Sequence, residues 1–90
     1  MFKEINDVKG VCKNIVSRLD EIKGLCVKMD SIMEEIESKA GQEEAVNVTL
    51  AIRKELASLF ILNSNMEDCF DTLNKTFDSL KENFLEILNK

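Results

Sequence analysis

Three cysteines and one run of carboxylates are the first residues in this 90-residue chain to consider for chemistry. A thiolate acts as a nucleophile, redox centre or metal ligand when nearby positive charge lowers its pKa. Cys12, Cys26 and Cys69 have no such cluster of bases around them, and no Cys-x-x-Cys pair is present. An odd, unpaired set reads as reduced thiols used as small hydrophobes. Asp30, Glu34 and Glu37 are spaced four and then three apart, which places them on one face of a helix. Three carboxylates so placed could hold a hard cation, although the same spacing is the ordinary pattern of a solvated helix face. The Asn-x-Thr triplets at Asn47 and Asn74 match a glycosylation pattern but fall within expected helices, so they read as chance.

The chain has no His, Trp or Tyr. Histidine-based triads, Glu-x-x-His di-metal sites and His-containing zinc sites are therefore excluded. No glycine-rich phosphate loop is present. The expectation is a non-enzyme with no cofactor and no metal.

The elements that position these residues follow from periodicity. Ile5, Val8, Cys12, Ile15, Leu19, Ile22, Cys26, Met29, Met33 and Ile36 recur at alternating steps of three and four. That 3.5-residue period keeps one stripe turned toward a neighbouring helix. With Ile5 at heptad position a, Gly10 and Gly24 both fall at the outermost position f. A second series runs Ile52, Leu56, Leu59, Asn63, Met66, Phe70, Leu73, Phe77, Leu80, Phe84 and Ile87, with Ala45 and Thr49 leading into it. The pattern predicts helices over about 3–39 and 43–89, joined by a turn within 38–44.

Gly41 suits a left-handed residue ending the first helix. Glu43 and Glu44 suit the positive start of the second. So short a connection makes the two helices antiparallel neighbours. An a-against-d seam then pairs Ile22 with Asn63, Cys26 with Leu59, Cys12 with Leu73 and Ile5 with Leu80, and the second helix outruns the first. Ser64 and Glu67 could form a capping box that breaks the second helix at Asn63-Ser64-Asn65. The unbroken heptad phase favours continuity, with Asn63 as a buried register-fixing residue. The fold class is all-α: a single-domain antiparallel hairpin, coiled-coil-like, expected to assemble into a four-helix bundle.

Net charge is −5, and it has a location. Asp30, Glu34, Glu35, Glu37, Glu43 and Glu44 gather at the turn against one base, Lys39, while the remaining charges balance. An acidic end repels phosphate backbones, so nucleic acid is not an expected partner. No run of 18 apolar residues is available to span a membrane. The opening residues lack the apolar stretch of a secretory signal, so a cytoplasmic protein is expected, with signal-less secretion as the alternative.

Apolar residues in excess of one seam point to an interface. Around Leu59, the neighbours Phe60, Ile61 and Leu62 make the helix greasy nearly all round, facing Leu25 and Val27 on the first helix. A second excess lies at Phe84, Leu85 and Leu88. These eight residues are the expected partner-binding set, and Glu34, Glu35, Glu37, Glu43 and Glu44 form an acidic tip. The function expected is protein–protein interaction, with itself as a homodimer or with a dedicated helical partner, as adaptor, chaperone-like partner or occluding inhibitor. An inhibitor binding a basic target through the acidic tip is a further possibility.

In architecture the chain resembles the small helical hairpins of type VII secretion. Lys39-Ala40-Gly41 stands where those carry Trp-x-Gly. Their C-terminal Tyr-x-x-x-acid signal has no counterpart, because Phe70, Phe77 and Phe84 are followed four residues on by Asn74, Lys81 and Leu88. The resemblance implies export with a partner and transfers no functional residue.

Overall fold

The computed structural model describes residues 2–89, and all of them except Gly41 and Gln42 are helical. Helix α1 spans Phe2–Ala40 and helix α2 spans Glu43–Asn89. They form an antiparallel hairpin 73 Å long, with its other dimensions only 15 and 12 Å. No described helix is long and apolar enough to cross a membrane.

The turn is made by the residues that suit it. Gly41 adopts φ 62°, the left-handed conformation that costs other residues a Cβ clash. The Val46 amide donates to the Gln42 carbonyl at 3.1 Å and starts α2, whose first turn carries Glu43 and Glu44 at its positive end.

Helix α2 passes through Asn63-Ser64-Asn65 without a break. Asn63 is buried, and its amide donates to the Leu59 carbonyl at 2.7 Å, one turn back along the same helix. The capping box does not form: Glu67, its acidic member, pairs instead with Lys23 across the hairpin.

The seam between the helices is not the expected a-against-d seam. Ile5, Cys12, Leu19 and Cys26 are buried on α1, and Thr49, Leu56 and Asn63 on α2. All seven occupy position a. Position d is left on the flank: apart from the half-buried Ile15, its large side chains from Val8 to Leu80 keep 37–47% of their surface exposed, and Ile87 keeps 64%. The second row of the seam is instead position e, which is half-buried at Lys9, Val16, Lys23, Asp30 and Glu37 on α1. On α2 it is half-buried at Val46, Arg53, Phe60, Glu67, Asn74 and Lys81.

Charge complementarity explains the choice. Lys23 reaches Glu67 at 3.4 Å. Arg53 donates to Asp30 at 2.9 Å and to Glu37 at 3.0 Å. Each pair joins one e position to another across the hairpin. Towards the open end Lys81 lies beside Asn6 and Lys9 pairs with Asp78. Phe84, in the a row, is half-buried rather than hanging free.

Candidate interaction face

A helix advances about 100° per residue, which puts e about 40° to one side of a and d about 60° to the other. The e-to-e ion pairs show that both e rows share one side of the hairpin. Both d rows must then share the opposite side. They are Val8, Ile15, Ile22, Met29 and Ile36 on α1, with Ala45, Ile52, Leu59, Met66, Leu73, Leu80 and Ile87 on α2. All twelve are apolar.

Beyond them, at position g, stand Val11, Leu25 and Ile32 on α1 and Val48 and Leu62 on α2, each exposed. Of the twenty large hydrophobic side chains exposed in the described chain, fifteen sit at d or g. The hairpin therefore has one side whose d row is apolar along its full length, flanked by a g row in which these five alternate with polar residues such as Arg18, Glu55 and Thr76.

The other side is polar and partly self-satisfied. Glu37 and Glu67 each give one oxygen to a cross-helix base, while their second oxygens and Asn74 Oδ1 are buried without a hydrogen-bond partner. Ion pairs of this partly exposed kind contribute little net stability. They tie the two e rows to one side of the hairpin. A shallow groove of about 300 Å³ opens on this side, lined by Cys26, Val27, Asp30, Ser31, Leu56, Ala57 and Phe60.

The residues expected to bind a partner divide between these surfaces. Leu25 and Leu62 lie on the apolar side. Val27 lines the polar-side groove, and Leu85 sits exposed at b on that same polar side. Ile61 projects at f, away from both helices' shared faces. Phe60 is a seam residue, half-buried, with Lys23 Nζ 4.9 Å from its ring centroid. Leu59, expected to face α1, is a d residue and 43% exposed. The belt at 59–62 is thus not one surface: Leu59 and Leu62 lie on the apolar side, Phe60 enters the seam and Ile61 points away at f. At the far end Phe84 joins the seam, and Leu88 is exposed at e.

The acidic tip holds its own base. Asp30, Glu34 and Glu37 converge on Arg53, with Glu34 at 4.0 Å, so the expected carboxylate face surrounds a guanidinium. The hydrogen bond that Arg53 donates to Asp30 holds its guanidinium above its ordinary pKa. Glu35 pairs with Lys39 at 3.6 Å, and Glu43 and Glu44 are exposed in the first turn of α2. Among the described residues no group of three His, Cys, Asp or Glu is placed to hold a metal ion. Cys12 and Cys26 are buried in the a row, and Cys69, at g, is exposed on the shoulder of the apolar side.

Sequence reasoning missed that d, not a, is the free row. Two signals were available: the matched charges at e, and the small or polar residues Cys12, Cys26, Thr49 and Asn63 at a, which let two helices close on one another. No protein-family profile matches the chain, and neither curated proteins nor solved structures include a significant match to it.

Proposed function

We propose that this chain is a non-catalytic helical interaction module whose working surface is the d and g side of the hairpin. The observation that carries the reading is the segregation of fifteen of twenty exposed large hydrophobics onto that side. Covering a large apolar side chain completely is worth about 1.5–3 kcal/mol. Burying the remaining half of fifteen such side chains is therefore on the order of 10 kcal/mol before the costs of association. An isolated two-helix chain has no second layer to collect that energy. A helical partner lying along the groove between the two d rows collects it, as in the packing of helical bundles.

The acidic tip supports an inhibitor reading less well, because Asp30, Glu34 and Glu37 are turned onto Arg53 and Glu35 onto Lys39 rather than outward to a partner. The test is photo-crosslinking in living cells, with a benzophenone amino acid placed at Leu62 or Val11 on the apolar side and at Leu85 or Ser64 on the polar side. Apolar-side positions should give a discrete protein adduct, of this chain with itself or with another protein. Equal or stronger adducts from the polar side would defeat the reading.

A further inference from the structure

Building on the reading of the d and g side as an interaction surface, we infer that its occupant is a second copy of this chain, stacked face to face and running in the opposite direction. The acidic turn of each hairpin then lies over the chain-terminal end of the other.

The area is sufficient. A face 73 Å long and two helices wide offers about 1,000 Å² per copy, against the ~800 Å² per partner of a standard stable interface.

The face also matches its own reversed copy. A two-fold axis lying in the interface, perpendicular to the helices, passes by Ile22 and Met66, midway along the two d rows. It lays each helix against its own counterpart. On α1, Ile22 meets Ile22, Ile15 meets Met29 and Val8 meets Ile36. On α2, Met66 meets Met66, Leu59 meets Leu73 and Ile52 meets Leu80. The heptad phase is kept in every layer, and every layer is apolar. The same geometry that sets e opposite e within the hairpin sets g opposite g between copies. Val11 then faces Ile32, Leu62 faces Cys69, and the aliphatic stem of Arg18 lies along Leu25.

The alternative two-fold, parallel to the helices, stacks α1 on α2 of the other copy. It also keeps the d layers apolar and sets Leu25 against Leu62, but it places Ile32 against Glu55 and Val11 against Thr76, whereas the reversed stack pairs Val11 with Ile32 and leaves Glu55 with Thr76 and Val48 with Asn83. It further brings two acidic tips together, each with six carboxylates against Lys39 and the returning Arg53. The reversed arrangement holds the tips a full hairpin apart, which like charge favours.

The experiment uses the purified full chain with Cys69→Ser and Gln42→Cys, spin-labelled at the turn, since Cys12 and Cys26 are buried. Sedimentation equilibrium gives the mass, and double electron–electron resonance gives the turn-to-turn distance. A dimer with its turns about 60 Å apart is expected, from twenty residues of helix on each side of the axis at 1.5 Å each. A dimer with turns closer than about 25 Å would overturn the reversed arrangement and leave the face intact as the interface. A monomer would overturn the second copy as occupant, while a polar-side-silent, apolar-side adduct to another protein in the cell would leave the broader reading standing. Leu59→Glu with Leu73→Glu separates the two further: loss of the dimer with helicity retained is expected. Persistence of the dimer in that variant would remove both readings. Leu62→Lys, on the shoulder, repeats the test should the double variant lose helicity.

Discussion

Lys23 and Phe60 meet across the hairpin, the ammonium 4.9 Å from the ring centroid, while the same nitrogen reaches Glu67 at 3.4 Å. The contact turns Phe60 into part of the seam, and it separates Phe60 from Ile61, its neighbour in sequence, which stays 61% exposed. Phe60→Ala should destabilise the hairpin by about 1–3 kcal/mol, below the ~3–5 of a fully buried Phe. Ile61→Lys should change stability by less than about 0.5 kcal/mol and leave assembly unchanged. Urea titration followed by circular dichroism, with sedimentation, measures both. An equal effect of the two substitutions would mean that the belt acts as one surface.

The glycines should respond with opposite signs. Gly10 and Gly24 are helical, and an added Cβ at either would meet nothing within 4 Å. Gly→Ala at each should therefore stabilise by up to about 1 kcal/mol. Gly41 has equal space around it, but its φ of +62° makes any side chain strained. Gly41→Ala should cost about 1–2 kcal/mol. Thermal unfolding of the three single variants gives the comparison, and a stabilising Gly41→Ala would mean that the turn relaxes to another shape.

Thiol accessibility should split one to two. Cys69 is exposed, and Cys12 and Cys26 are buried in the a row. A thiol reagent added to the folded chain should label one cysteine quickly and the other two only at the rate of unfolding. Dimerisation as inferred above would slow Cys69 as concentration rises, because Leu62 of the other copy covers it. Rapid labelling of all three at any concentration would contradict the a-row seam.

Asn63 is buried with one hydrogen bond from its amide, to the Leu59 carbonyl. Replacing a desolvated amide by an apolar group of similar reach removes that desolvation cost. Asn63→Leu should raise stability by about 1 kcal/mol while loosening the register that a single polar seam residue enforces. Denaturant midpoints report the first effect, and broadened turn-to-turn distance distributions report the second. A large loss of stability would show that the layer has no room for a branched side chain.

The two helices, their ends, their antiparallel pairing and the turn at Gly41 were legible in the sequence, because each depends on local chemistry. Heptad phase, a left-handed glycine and acids at a helix start act within one or two turns of chain. The same pattern was silent on which apolar row would close the hairpin. Rows a and d are both apolar over most of their length, so the pattern alone does not separate the two seams. The decision came from pairs far apart in the chain: Lys23 with Glu67, and Arg53 with Asp30 and Glu37. Those contacts exist only once the two e rows share a side, and their formation turns both d rows together onto the other. The apolar side is thus a property of the folded pair. Residues such as Leu25 and Leu62 could be suspected from either helix alone, but a continuous surface from Val8 to Leu80 required knowing how one helix is rolled against the other.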